Sequence, residues 1–111
     1  VAPNRDLHDS ELRETQELLS RCYTTSLDLA HRNGCRSIAL CCLGVGAYRF
    51  PNLLAAEIAL GTVRRWCDSI HGDDSGIGGS SIERIIFVTF VHHDTHLYSL
   101  LMKNFFFPPV V

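Results

Sequence analysis

Apolar positions along the chain recur with a helical period in its first third. Between Ser10 and Asn33 they are spaced by three or four residues, which is typical of a helix with one buried face. Ser10 is a favourable N-cap residue, and Gly34 suits the left-handed conformation that often ends a helix. The pattern therefore predicts a first helix over residues 10–33. The buried face of this helix is predicted to carry Leu12, Leu19, Cys22, Tyr23, Leu27 and Ala30.

Two short runs are apolar at both odd and even positions, Ser37–Leu43 and Ile85–Val91. Such runs are typical of strands that are covered on both faces of a sheet. Between them, Pro51 favours the first turn of a second helix, which the apolar spacing extends over Asn52–Ile70. Residues 71–81 contain four glycines and three serines, and this composition predicts a flexible loop.

A third helix is predicted after the second strand, with Asp94 as its N-cap and apolar positions continuing to Phe105. The order is α-β-α-β-α, and two apolar strands joined by a helix form a right-handed parallel unit. A parallel sheet needs several strands and cover on both faces, which two strands cannot provide for three helices. We therefore expect residues 1–111 to be a single α/β domain with an incomplete sheet, the C-terminal portion of a three-layer α/β/α fold.

The charge balance excludes two kinds of partner. Ten Lys and Arg residues stand against twelve Asp and Glu residues, spread along the chain, so neither nucleic acid nor an anionic membrane surface is expected. The longest nearly apolar run, Ile38–Ala47, is about half of the ~20 residues that cross a bilayer. Five cysteines favour reduced core thiols in an intracellular, most simply cytoplasmic, protein. Because the chain starts at Val1 rather than Met, we expect the start of the gene product to be missing.

The loop after the first predicted strand is a candidate anion site, and it contains Gly44, Val45, Gly46, Ala47 and Tyr48. In a strand–loop–helix connection, backbone N–H groups point at a bound phosphate, and glycine allows a close approach. The loop has neither the GxGxxG spacing nor the lysine of a P-loop, so the bare pattern also fits an ordinary turn.

The stretch Ser37–Val63 resembles the second half of a macrodomain, the α/β module that binds ADP-ribose. The likeness covers about residues 10–103. The SIALCC strand and the FPNLLAAEIA helix start look most like the zinc-containing macrodomains, which accompany a sirtuin-type ADP-ribosyltransferase and remove ADP-ribose from modified protein. Flanking residues that extend the likeness are Leu19, Cys22, Tyr23, Ser26 and Leu27 before it, and Ile85–Phe90 and Tyr98 after it.

This resemblance implies a ligand, ADP-ribose or ADP-ribosylated protein, and roles for particular residues. The backbone amides of residues 44–48 would bind the diphosphate, Tyr48 would lie against the distal ribose, and Phe90 would stack on the adenine. Amide donors suit a diphosphate and an aromatic face suits a purine. The family loop usually reads Ser-Thr-Gly where this chain has Gly44-Val45-Gly46, so two hydroxyls are absent.

The family's first half has no counterpart in this sequence. That half carries the glycine-rich first loop, the Asp that binds adenine and the zinc ligands of the zinc-containing group. The resemblance therefore implies hydrolysis of ADP-ribosylated protein only when the domain is completed, with no cofactor and no identified catalytic group in this segment. Two partners follow from it as expectations, the modified protein and a sirtuin-type transferase.

A second interpretation is a degenerate, non-catalytic interaction module. The loss of the loop hydroxyls at Gly44 and Val45 favours it, whereas Gly46, Tyr48 and Phe90 favour ligand binding. Exposed edges of an unfinished sheet predict association with other chains, so a homo-oligomer is expected under this interpretation.

Two further sites are disfavoured. His92, His93, Asp94 and His96 are metal-capable residue types, but adjacent histidines in a turn seldom converge on one ion, so no metal ligand is assigned. A catalytic pair formed by a thiol of residues 41–42 and a histidine of residues 92–93 would need a reactive cysteine. Thiols inside a buried strand are inert, which argues against that pair.

Overall fold

The computed structural model describes residues 9–42, 52–71 and 81–108. The elements follow the predicted order, and the two strands form the predicted parallel pair, β1-β2, with Cys41 opposite Val88. The predicted loop over residues 71–81 lies outside these ranges except at its ends, where His71 belongs to the second helix. The elements are α1 (Asp9–Arg32), β1 (Ser37–Cys41), α2 (Asn52–His71), β2 (Arg84–Val88) and α3 (His92–Leu101), followed by a π-helical segment (Met102–Phe106).

Helix α1 ends where the sequence predicts. Gly34 has a φ of 67°, a left-handed conformation that a residue without a Cβ adopts at little cost. The Gly34 N–H donates to the His31 carbonyl at 3.2 Å and the Cys35 N–H donates to the Ala30 carbonyl at 3.0 Å. These bonds satisfy the last carbonyls of the helix and turn the chain into β1. Within the described ranges, no helix is both long enough and apolar enough to cross a membrane.

A single main core lies between the three helices and one face of the sheet. The predicted face of α1 is confirmed at its centre, where Tyr23 and Leu27 are buried, and α2 contributes Leu60 and Val63. Trp66 of α2 places its ring in this core and donates its indole N–H to the Asp28 carboxylate of α1 at 2.9 Å. This hydrogen bond satisfies the indole N–H, which would otherwise be buried without a partner, and it also joins the two longest helices.

The sheet is covered on one face only in the described part of the chain. On β1, Leu40 is buried and Ile38 is partly buried, whereas the alternating residues are exposed. On β2, Ile86 and Val88 are exposed although both are large and apolar. Of the cover predicted for both faces of the strands, the described residues supply one side, because α1, α2 and α3 all pack into the core on the same side. The described residues form two layers of the expected three, and the sheet is incomplete as predicted.

The prediction of core thiols holds for only some of the cysteines. All five are free; Cys42 and Cys67 are partly buried and pack against the main core, whereas Cys22 and Cys41 are exposed. Cys22 lies one position before Tyr23 on α1, which is enough to turn it from the buried face toward solvent. Cys41 lies on the uncovered face of the sheet.

Candidate functional site

The carboxyl ends of the two strands meet at one edge of the sheet. Cys41 is paired with Val88 at the end of the ladder, and the Cys42 thiol then donates to the Val88 carbonyl at 3.2 Å. The chain therefore leaves both strands on the same side, toward residues 43–51 after β1 and toward Phe90 after β2. In open α/β sheets, ligands bind at this edge.

Phe90 lies at this edge with 89% of its surface exposed. It belongs to the turn between β2 and α3, which is anchored by the hydroxyls of Thr89 and Thr95, 2.5 Å apart. The Thr95 N–H also donates to the Val91 carbonyl at 3.2 Å, so the turn is tied to the start of α3. An aromatic ring held on an anchored turn, with both faces open, is suited to stacking on a planar ligand.

The predicted anion loop, with Gly44, Val45, Gly46, Ala47 and Tyr48, lies outside the described residues. Its two attachment points are described, the end of β1 before it and the start of α2 after it. The first turn of α2 contains no acidic residue, so the positive end of its helix dipole is not neutralised by a neighbouring carboxylate.

Helix α3 begins three residues earlier than the sequence predicts. Val91 is the N-cap, with extended backbone, and Asp94 is the third helical residue and is buried. The proposed N-cap role of Asp94 is therefore wrong: Val91 supplies the first helical carbonyl, which accepts from the Thr95 N–H. His92, His93 and His96 are exposed on this helix, and the described residues include no group of three or more side chains placed to hold a metal ion.

A polar cluster that sequence reasoning missed lies beneath the edge, formed by Tyr23, Cys42 and Tyr98. The Tyr23 hydroxyl donates to the Cys41 carbonyl at 3.0 Å. The Tyr98 hydroxyl is buried close to the Cys42 thiol and the Tyr23 hydroxyl, but it makes no hydrogen bond of good geometry in the described part of the chain. Its ring packs 5.4 Å from that of Phe87. Burial raises the pKa of Tyr98 far above its ordinary value, with smaller contributions from Cys42 and Tyr23. The residue type was the one signal in the sequence that could have indicated this cluster. A tyrosine on the buried face of a helix brings a hydroxyl into the core, where it needs polar neighbours.

Thiol reactivity is expected to differ among the cysteines. Burial raises the pKa of Cys42 and of Cys67, so fewer of these thiols are ionised at neutral pH, and the thiolate is the nucleophile. We expect iodoacetamide to label the exposed Cys22 and Cys41 before Cys42 and Cys67, and to label Cys42 and Cys67 faster as the pH rises. Mass spectrometry of the digested protein measures the rate of labelling at each cysteine. Equal rates at Cys22 and Cys42 at neutral pH would contradict the prediction.

Comparison with known proteins places this geometry in a family. The family model "Macro domain" matches residues 3–59. The structure also superposes on a solved Trypanosoma brucei macrodomain in complex with ADP-ribose, with a TM-score of 0.66 and 32% identity over 78% of this chain and 34% of that one. The chain therefore belongs to the macro domain family, and the resemblance inferred from its sequence is confirmed at that level.

Curated relatives carry enzymatic names. An ADP-ribose glycohydrolase of Mus musculus, MACROD2, is 40% identical over 91 residues, which are 82% of this chain and 18% of that protein. A protein-ADP-ribose hydrolase of Treponema medium is 41% identical over 86 residues, 78% of this chain and 30% of that protein. This chain thus spans less than a third of the length of either relative.

Proposed function

We propose that this chain provides one half of an ADP-ribose site and that a domain completed by the other half removes ADP-ribose from protein. The observation that carries the proposal is the exposed Phe90, held at the carboxyl edge beside the end of β1. Membership of the macro domain family, the hydrolase names of the relatives and the ADP-ribose complex of a similar structure support it.

In this proposal the chain binds and orients the ligand. The adenine stacks on Phe90, and the backbone amides of residues 44–48 bind the diphosphate, with Tyr48 against the distal ribose. Fixing both ends of the ADP-ribose group presents the anomeric carbon of the distal ribose to an attacking water, and such positioning lowers the barrier by removing an entropic cost. No catalytic residue is assigned within this chain.

Calorimetric titration with ADP-ribose, and with AMP for comparison, tests the binding. We expect saturable binding that favours ADP-ribose, because AMP lacks the second phosphate and the distal ribose. Gly46→Pro removes a backbone donor and is expected to weaken ADP-ribose binding at least about tenfold, the order of one lost charge-assisted hydrogen bond.

Val45→Ala is the matched control for that variant, because it changes the same loop but keeps every amide donor. We expect it to bind ADP-ribose within about twofold of the unmodified chain, since the proposal assigns the binding to backbone amides and not to the Val45 side chain. A folded chain that gives no heat with ADP-ribose would remove the proposed function. Equal affinities of Gly46→Pro and Val45→Ala for ADP-ribose would show that the amides of residues 44–48 do not bind the ligand.

A second candidate function is a non-catalytic module that self-associates through its sheet. The uncovered apolar face, with Ile86 and Val88 exposed, favours it, since such a face is typical of an interaction surface. Sedimentation over a range of concentrations distinguishes the candidates. A monomer at every concentration contradicts self-association, whereas a dimer that ignores ADP-ribose favours it over the first proposal.

The finer class remains part of the proposal. The strand and helix start around the loop support a zinc-containing, sirtuin-linked type, and the free cysteines support an intracellular, cytoplasmic setting. The described residues do not fit a zinc ion, since no three ligating side chains converge among them. Zinc would therefore have to be held at least partly by residues outside the described ranges, and the mechanism proposed for this half does not use it.

A further inference from the structure

The face of α1 that points away from the core carries two exposed leucines. Leu18 is 56% exposed and Leu29 is 51% exposed, although both are large apolar side chains. They share one side of the helix with other exposed residues, because the steps between them average 3.6 residues, which is one helical turn. The outer stripe of α1 consists, in chain order, of Glu14, Leu18, Cys22, Thr25, Leu29 and Arg32.

The middle of the outer stripe is hollow. A shallow depression on this face is lined by Leu18, Arg21, Cys22, Thr25 and Ser26. The first four of these residues have the spacing of the hole that receives one side chain of a facing helix in knobs-into-holes packing. Leu29 lies one turn beyond the depression on the same face, and leucine is the kind of side chain that such a hole accepts.

The outer stripe is complementary to itself when two copies run in opposite directions. Leu29 of each copy then lies against the depression of the other, and Cys22 of each lies opposite Thr25 of the other. The charged ends also match, because Glu14 at one end of a stripe comes to lie beside Arg32 of the second copy. Among the described residues, neither of these two charges takes part in an ion pair. In a parallel pair, each charge would instead face its own counterpart of like sign, which is unfavourable.

We propose that the outer stripe is a self-association surface through which two copies of this chain pair by antiparallel packing of α1. Two-fold symmetry forms every contact twice, so one dimer contains two Leu29 contacts and two pairs of Glu14 with Arg32. A single helix pair lies at the small end of specific interfaces, so the dimer dissociates on dilution. The surface includes neither the uncovered face of the sheet nor the carboxyl edge with Phe90, and the inference does not depend on ADP-ribose.

Leu29→Glu tests the surface by sedimentation over a range of concentrations. A carboxylate is poorly accommodated in the depression, so we expect this variant to dimerise at least about tenfold more weakly than the unmodified chain. Leu53→Glu is the matched control, because Leu53 of α2 is exposed to the same 51%, and it is expected to leave dimerisation unchanged. Circular dichroism checks that both variants are folded. A monomeric unmodified chain at every concentration, or equal dimerisation of the two variants, would overturn the proposal.

Charge reversal tests the antiparallel direction. Glu14→Arg and Arg32→Glu each bring like charges together at both ends of the dimer, so each variant alone is expected to dimerise about fivefold more weakly. In an equimolar mixture of the two variants, every position 14 faces a position 32 of opposite charge, and association is expected to return to the unmodified level. Single variants that dimerise as well as the unmodified chain, or a mixture that associates no better than either variant, would overturn the antiparallel pairing.

Cross-linking of the unmodified chain locates the interface. Cys22 and Cys41 are both exposed free thiols, but only Cys22 lies on the outer stripe, close to the two-fold axis of the proposed dimer. A short bis-maleimide is expected to join Cys22 to Cys22 of the second copy, and mass spectrometry of the digested product identifies the linked residues. Links between two Cys41 residues instead would place the interface on the uncovered face of the sheet and overturn the proposal.

Discussion

Leu60→Ala is expected to lower the free energy of unfolding by about 2–5 kcal/mol, the range for a large buried side chain cut to a methyl group. Leu60 is completely buried on α2 and belongs to the core shared by the helices and the sheet. Alanine is the best helix former, so the loss comes from packing and the cavity rather than from the helix itself. Domains of this size are stable by only about 5–15 kcal/mol, so one side chain accounts for a large part of the total.

Leu53→Ala is the control on the same helix. Leu53 is 51% exposed, and its truncation is expected to change stability by less than about 1 kcal/mol. Urea denaturation followed by circular dichroism compares the midpoints of both variants with that of the unmodified chain. Similar shifts for the two variants would show that the described core is not the one that stabilises the chain.

The helices could be predicted from the sequence because their signals are local. Gly34 ends α1 through a backbone conformation that depends on one residue, and Tyr23 and Leu27 share a face through the helical period alone. Asp94 was misjudged as an N-cap because the residue preference is local but the true start depends on the β2–α3 turn. That turn places Val91 so that its carbonyl accepts from the Thr95 N–H.

The cover of the sheet could not be predicted. Apolar residues at both odd and even positions predict that both faces of a strand are covered. They do not indicate which segment of the chain covers each face. Ile86 and Val88 fit that rule in composition and are nevertheless exposed in the described part of the chain. The parallel pairing of β1 and β2 was predicted correctly, because two strands joined by a helix usually pair in parallel.

The location of Phe90 could be predicted from the sequence, but the contacts that hold the strand ends could not. The sequence placed Phe90 at the end of the second strand, and the structure finds it at the same edge as the end of β1. The bond from Tyr23 to Cys41 joins residues 18 positions apart and follows from no spacing rule. Such contacts depend on how α1 lies across β1, which sequence periodicity does not specify.

Phe90→Ala is expected to weaken ADP-ribose binding about fivefold to a hundredfold. Stacking of a base on an aromatic side chain contributes about 1–3 kcal/mol, and alanine removes the whole face. AMP is expected to weaken by a similar factor, because both ligands carry the adenine. The stability of the chain should hardly change, since 89% of the Phe90 surface is exposed in the folded protein. Calorimetry with both ligands and thermal unfolding measure the two effects separately.

Phe105→Ala is the matched control for that variant. Phe105 is also exposed, at 73%, but it lies in the π-helical segment beyond the far end of α3. We expect its loss to leave both affinities unchanged. A Phe90→Trp variant should retain binding, because a larger aromatic face still stacks on a purine. If Phe90→Ala and Phe105→Ala bind ADP-ribose equally well, the adenine does not stack on Phe90. The proposed ligand site then depends on the segment after β1, which the comparison of Gly46→Pro with Val45→Ala tests.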